Sequence, residues 1–409
     1  MLRRTFLALA ALAVAAPVPA APAHALDPSD WDAVKKEARG QTVYFNAWGG
    51  ADNINAYIDW AAGRLAEEYG VTLKHVKLED TASAVSTVLA EKSAGRDMEG
   101  SIDLVWINGE NFAAMKRASL LLAPGWAEQL PNWAYVDWEN QPTIRTDFTV
   151  PVEGLQSPWG GAKLVFFHDS ARTDAAGLPR SFAQLVDWTE AHPGRFSYPA
   201  PPDFIGTSFL KQALLETAPD PAVLQEPATD AAFQEASAPL FALLDRMTPN
   251  LWRSGRAYPR NYPAMTQLLA DNAIDIAFAF NPADASAAIA DGRLPGSVRS
   301  FTFPGGTLGN THFVAIPYNA SAKAGALVTA NFLLSPEAQA RKQDPAVWGD
   351  PTVLAMNKLG DGDRAAFDAL DLGPATLAPA ELGPLLSEPH PSWTERLERE
   401  WLRRYGVGQ

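Results

Sequence analysis

The stretch "VYFNAWGGADNINAYIDWAA" (43–62) begins as a short β-rich run and stops at Trp48-Gly49-Gly50. Beyond that corner Ile54, Tyr57, Ile58, Ala61 and Leu65 recur at helical spacing, and Gly70 closes the segment. This is the pattern of a strand followed by an amphipathic helix with a glycine stop. The alternation repeats downstream. "VTLKHVKL" (71–78) reads as a strand, "ASAVSTVLAEKSA" (82–94) as a helix, "IDLVWI" (102–107) as a strand and "FAAMKRASLLL" (112–122) as a helix. Strands separated by helices pair in parallel through right-handed crossovers and form an open α/β sheet. Ligands on such sheets sit at the carboxyl ends of the strands. Trp48-Gly49-Gly50 and Asn108-Gly109-Glu110-Asn111 both fall at such ends, so the two corners share one rim.

From 123 to 160 the chain is rich in Pro, Trp and Asn without clear periodicity. A second αβ series follows. "SPWGGAKLVFFHDSAR" (157–172) contains an apolar strand; 181–191, 207–216, 228–247 and 263–272 read as helices, and "IDIAFAF" (274–280) as a buried strand. After an extended, Gly-rich passage at 292–318, helical segments carry the chain to its end. One series interrupted by another, with extended connections near 150–166 and 296–316, implies two lobes joined by a hinge of crossing strands. The expected division is lobe 1 over 26–155 and 305–409, and lobe 2 over 156–304 including the two crossovers. A cleft between lobes is a natural site for a small ligand.

The first residues form a secretory leader. Arg3 and Arg4 precede the apolar run "FLALAALAVAA", and "AHA" at 23–25 offers a small-residue cleavage site near Ala25. That run is too short to span a bilayer. "RRTFL" resembles the twin-arginine export pattern, with the Sec route as the alternative. The remaining roughly 380 residues exceed what one core usually organises. The net charge is −14, or about −16 without the two leader arginines, which argues against nucleic acid and anionic lipid as partners. With no cysteine in the chain, disulfides, thiol catalysis, thiolate metal sites and a lipid-bearing cysteine are all excluded. A soluble periplasmic monomer is expected, without a cofactor.

Several loops carry the residue types of a binding site. Trp48 can offer a flat face to a planar or cationic ligand, or pack under its own helix; Gly49 and Gly50 let a ligand approach the backbone. Asn108, Glu110 and Asn111 cluster around the turn at Gly109, where they either cap the next helix or meet a ligand. "PAPPDFIGTS" (199–208) presents Asp203, Phe204, Thr207 and Ser208 at a helix start, with capping by Thr207 or Ser208 as the structural alternative. Tyr258, Arg260 and Tyr262 follow, then Asn281, and Trp159 lies on a crossover as either a ligand contact or hinge packing. Aromatics and acids outnumber bases in these loops, which suits an organic cation such as a thiamine-like or quaternary amine. No metal site is expected: His75, His168, His192, His312 and His390 are scattered, with no pair at metal-binding spacing.

The chain resembles the extracytoplasmic solute-binding proteins of ABC importers, in the iron(III)/thiamine/spermidine-type class, and is most similar to the YnjB-like branch. The resemblance rests on "YFNAWGG…NINAYIDWAA", "DLVWINGENFAAMK", "SPWGGAKLVFFHDS", "PGRFSYPAPPDFIGTSF", "YPRNYPAMTQLL", "LGNTHFVAIPYNA" and "NFLLSPEAQARKQDPAVWGDPTVL". It implies a type II periplasmic binding protein fold whose lobes close on a solute and deliver it to a membrane permease, without catalysis. The rival class is a secreted hydrolase of glycosidase or esterase type using cleft carboxylates. Neither G-x-S-x-G nor H-E-x-x-H occurs to support it.

Overall fold

The computed structural model describes residues 26–377 and 381–406. The leader expected over 1–25 lies outside the described residues.

The N-terminal alternation forms helix α1 (Trp31–Ala38), strand β1 (Thr42–Trp48), α2 (Asp52–Tyr69), β2 (Thr72–Leu78), α3 (Ala82–Ser93), β3 (Leu104–Ile107) and α4 (Gly109–Arg117). Strand β1 lies between β2 and β3 and is parallel to both. Its Val43, Phe45 and Ala47 are buried in one core with Ile54, Tyr57, Ile58, Ala61 and Leu65 of α2, the residues that carry the helical period. On the other face, Val105 and Ile107 of β3 pack with Ala84, Val88, Phe112 and Met115 from α3 and α4. Gly70, at φ 66°, ends α2 in the left-handed conformation that glycine adopts freely. Helix α4 begins at Gly109, three residues before the apolar period starts.

A two-strand hairpin, β4 (Thr146–Asp147) and β5 (Val150–Pro151), precedes the crossing strand β6 (Gln156–Lys163), which runs on into β7 (Val165–Asp169). The second lobe continues with α5 (Phe182–Ala191), α6 (Phe204–Thr217), α7 (Asp230–Met247), α8 (Tyr262–Ala270), β8 (Ile276–Ala279), α9 (Asp284–Ala290) and β9 (Val298–Phe301). Here β7 is central and antiparallel to both β8 and β9. Strand β10 (Thr307–Ala315) returns to the first lobe, antiparallel to β6 over its length and to β3 at its end. The crossing strands are thus paired with each other; the first-lobe sheet is of mixed direction and the three-stranded second-lobe sheet is antiparallel.

After β10 come α10 (Lys323–Leu333), α11 (Pro336–Gln343) and α12 (Asp361–Asp368), all contributing to the first-lobe core. Then the path departs from expectation. Strand β11 (Leu385–Ser387) joins β10 in parallel, and the last helix α13 (Ser392–Tyr405) crosses back. Its Trp393, Leu397 and Trp401 are fully buried in the second-lobe core with Phe209 and Tyr198, and the Trp401 indole donates to Tyr198 Oη at 2.9 Å. The anticipated placement of 305–409 wholly in lobe 1 is therefore corrected for α13. Its three apolar residues make one helical stripe, and that stripe is buried against α6. The chain passes between the lobes a third time in the passage from Leu370, which packs on the first core, to His390; Ala375 and Leu382 already pack on the second core.

Candidate functional site

The corner at Asn108 meets the second lobe. Asn108 precedes α4 in extended conformation, and its side chain makes no capping bond. Gly109 sits at φ 48°, and a Cβ there would overlap the Phe148 ring, so glycine is what lets that ring lie against the backbone. The Gly109 N–H donates to Asp147 Oδ1 at 2.8 Å, and Gln156 Nε2 donates to Asp147 Oδ2 at 3.0 Å. Burial, reinforced by the charges of Glu110 and Glu388, pushes the Asp147 carboxyl up to about 7 despite those two donors. Glu110 is exposed and Asn111 buried at the same helix start.

Helix α6 supplies the facing wall. Asp203, not Thr207 or Ser208, caps it, accepting from the Ile205 and Gly206 N–H groups at 3.0 and 3.1 Å. That leaves the Thr207 hydroxyl free to donate to Glu398 Oε1 of α13 at 2.7 Å. One turn further on, the Lys211 ammonium stands 4.5 Å from the Phe148 ring centroid and 3.0 Å from Glu388 Oε2. The Lys211 and Glu388 side chains are only 2% and 1% exposed, so this is a buried ion pair. Asn310 of β10 donates to Glu388 Oε1 at 3.2 Å. Desolvation raises the Glu388 carboxyl above its usual range, with Lys211 and Asn310 opposing it and Glu110 adding to it. Glu398 is raised by the same cause, and the charges of Lys211 and Glu110 both reach it. Across this seam the buried Lys211 ammonium pairs with Glu388 and its charge reaches Glu398, while Asp147, which burial keeps protonated up to about 7, and the exposed Glu110 lie on the first-lobe side.

A second charged group lies beside the hinge. Trp159 is fully buried, edge-on to Trp106 and Trp348 at 5.1 and 5.3 Å. The Lys342 ammonium sits 3.9 and 4.2 Å from the Trp159 and Trp348 rings, donates to the Trp159 carbonyl at 2.8 Å and pairs with Asp350. His312 of β10 contacts the same carboxylate at 3.1 Å. Desolvation would raise Asp350, but His312 and Lys342 outweigh it and hold the carboxyl low; desolvation pushes Lys342 down to about 8. Gly160 on β6 makes room for this pair, since a Cβ there would overlap both charged groups. Of the two roles open to Trp159, hinge packing is the one its burial supports.

The other candidates are placed as follows. Trp48 is 40% exposed and lies over Gly50, where a Cβ would overlap its ring; it does not pack under α2. The Gly49 carbonyl accepts from Asn55 Nδ2 at 3.1 Å. This corner is level with Asn108 on the rim but makes no described contact with the second lobe. Phe204, 44% exposed, meets Phe280 edge-on at 5.2 Å. Ser208 is fully buried and its hydroxyl has no partner. Tyr258 packs on Tyr198 and Trp401 inside the second core. The Tyr262 hydroxyl is buried without a hydrogen-bond partner; burial raises it, aided by the charge of Asp284. Arg260 is exposed. Asn281 donates to the Trp348 carbonyl at 3.2 Å and accepts from Ala283 N–H at 2.9 Å, tying the lobes together beside the hinge.

Sequence reasoning missed Asp147, Phe148, Lys211, Glu388 and Glu398 at the seam and His312, Lys342, Trp348 and Asp350 at the hinge. It also missed half-buried Asp284, pushed up to about 7 by desolvation. "QDPAVWGDP" carried a legible signal, a Trp-Gly-Asp turn between prolines. Lys211, a lone charge in the apolar run "SFLKQALL", carried another.

Two lobes of mixed α/β sheet, joined by paired crossing strands and closed over a polar seam, define a protein of the periplasmic binding class. The chain belongs to the bacterial extracellular solute-binding protein family, whose model matches residues 60–354. It is 50% identical over 380 residues to the protein YnjB of Escherichia coli K12, covering 93% of this chain and 95% of that one. Among solved structures, the spermidine/putrescine ABC transporter substrate-binding protein PotD of Streptococcus pneumoniae superposes with a TM-score of 0.58 at 16% identity, over 90% of this chain and 99% of that one. AfuA of Actinobacillus pleuropneumoniae, with fructose-6-phosphate bound, gives 0.59 at 15% identity, over 90% and 99%. These likenesses show the fold. The chain is thus a solute-binding protein of an ABC transporter, a family of generally non-enzymatic binding proteins, and no described helix is long and apolar enough to cross a membrane.

Proposed function

We propose that this protein captures a small organic cation between its lobes in the periplasm and hands it to the permease of its ABC transporter, without chemical conversion. The observation that carries this reading is the seam itself. The buried Lys211 ammonium lies against the face of Phe148, pairs with Glu388 and reaches Glu398, while the charge of Glu110 raises Asp147, Glu388 and Glu398 alike. Carboxylates raised by burial and by one another gain from any cation brought among them, and an aromatic face adds to that gain in a partly dry cleft. An anion entering the same seam would meet like charge. One structural neighbour, a spermidine/putrescine ABC transporter substrate-binding protein, agrees with this charge logic, although the same fold in AfuA holds a sugar phosphate.

Isothermal titration of the full mature chain against thiamine, choline and spermidine, with citrate and a sugar phosphate as anions, tests the reading. Binding within the cation set and not the anion set is expected. Binding of anions alone would sink it. Mass spectrometry of small molecules that survive purification identifies the natural solute.

A further inference from the structure

We infer that the position of the Lys211 ammonium is a subsite for the amine of the solute, which the chain fills with its own lysine when no solute is present. The inference rests on the cation reading above and assigns that site its recognition chemistry.

Three separate parts of the chain build the position. Phe148 comes from the β4–β5 turn, Glu388 from the third crossing and Lys211 from α6 of the other lobe. The ring is presented by the two-residue β4–β5 turn, in which Phe148 and Thr149 both have positive φ, 43° and 67°, as a type I′ hairpin requires. Ring, carboxylate and the Asn310 amide that orients the carboxylate match what a primary ammonium requires: a π face, an anion and exclusion of water.

Space points the same way. The cavity beside the pair, lined by Asp147, Phe148, Asn310, Thr311 and Glu388 among others, measures about 10 Å³, enough for about one water molecule. A solute amine does not fit in that space, so one that pairs with Glu388 must take the place of the ammonium already there. Lysine is suited to leave, since its ammonium rides on a flexible four-carbon stem. A second anion is within reach of its charge: Glu398, held by Thr207 one turn back along α6. A solute amine that takes the Phe148–Glu388 position and sends Lys211 toward Glu398 would leave two paired carboxylates in the seam where there was one.

The test is chemical rescue. Lys211→Ala in the full mature chain opens space for n-propylammonium, the missing part of the side chain. Its melting temperature should rise saturably with n-propylammonium and not with potassium at equal ionic strength, while the wild type shows no such response. Lys211→Met, which keeps the stem and removes the charge, should bind the tightest wild-type cation of the panel at least about tenfold more strongly, because the internal competitor is gone; it also serves if Lys211→Ala does not fold. Absence of rescue together with unchanged or weaker cation affinity in Lys211→Met would overturn the inference while leaving the cation reading intact. A wild type that binds only anions would overturn the cation reading and the subsite with it, whatever n-propylammonium does to Lys211→Ala.

Discussion

Replacing Lys342 with methionine should destabilise the protein by about 3 kcal/mol at pH 7, because it strands a buried carboxylate. The Lys342 and Asp350 side chains are each 1% exposed and paired. The ammonium also holds the Trp159 carbonyl at 2.8 Å and faces two indole rings. Methionine fills much of the same volume but offers no positive charge, so Asp350 keeps only His312, at 3.1 Å. Removing one partner of a buried pair costs roughly 3–5 kcal/mol, and loss of a desolvated cation–π contact adds to it. His312 holds back part of that loss, which sets the lower end of the range. The diagnostic comparison is the double variant Lys342→Met/Asp350→Asn. With both charges gone no ion is left uncompensated, and the stability should return to within about 1 kcal/mol of wild type. Guanidinium unfolding followed by fluorescence suits the measurement, because Trp106, Trp159 and Trp348 report on this spot directly. A single variant within about 1 kcal/mol of wild type, or a double variant no better than the single, would refute the argument from stranded charge.

Other expectations follow from the seam and the caps. Asp147 retains its proton in the folded chain up to about 7, whereas the unfolded carboxyl loses it near 3.8. The native state therefore binds the extra proton between those values, and this group makes stability fall as pH rises through that window, by at most about 4 kcal/mol; Asp147→Asn should flatten that slope in chemical denaturation at pH 5 and 7.5. Asp203→Ala removes two N-terminal hydrogen bonds from α6 and should cost about 1 kcal/mol of stability, with a smaller effect on solute affinity by calorimetry. Trp48→Ala and Glu110→Ala alter exposed side chains and should weaken cation binding about tenfold while stability stays within about 0.5 kcal/mol; an equal loss of fold would make both residues structural.

The strand–helix order of the first lobe is legible because each element carries its own signal: period two or a short apolar run for strands, period 3.6 for α2, a glycine stop at Gly70. The rim is legible too, since parallel strands must place Trp48 and Asn108 at the same end. What the sequence does not display is docking. Thr207 and Ser208 are plausible caps by residue type, but Asp203 is reached first by the chain and its carboxylate accepts two N–H groups at once, so the helix starts there. Trp159 sits between glycine-rich residues like an exposed aromatic, yet β6 is a crossing strand whose side chains are covered from both lobes, and the ring ends fully buried. Lys211 and Glu388 are 177 positions apart and acquire a meaning only when the third crossing brings them to 3.0 Å. The α13 stripe of Trp393, Leu397 and Trp401 announces a buried face without saying which core receives it.

Charge, rather than fold, sets what such a cleft can hold. Neighbours of nearly equal superposition carry a sugar phosphate in one case and are described as polyamine binders in another, so the lobes and hinge act as a common frame. In this chain the frame brings two different ion pairs to the junction of the lobes. The Lys342–Asp350 pair is enclosed by indoles and shares its carboxylate with His312, so little in it is left to offer a ligand. The Lys211–Glu388 pair is different: its carboxylate stays above its usual range even with the lysine beside it and with the charge of Glu110 acting on it, and a further acid, Glu398, is within reach of the same ammonium. On the cation reading, Glu388 and Glu398 share one ammonium and leave negative charge over, which a solute cation would compensate. A hinge built on one self-sufficient pair beside one under-compensated pair can therefore keep its pivot while its mouth responds to solute. Neutralising Glu398 and Glu110 together (Glu398→Gln/Glu110→Gln) should separate these roles, lowering cation affinity while the Trp159 environment, read by near-ultraviolet circular dichroism, stays as it is; a spectrum that changes along with the affinity would mean that the two pairs act as one unit.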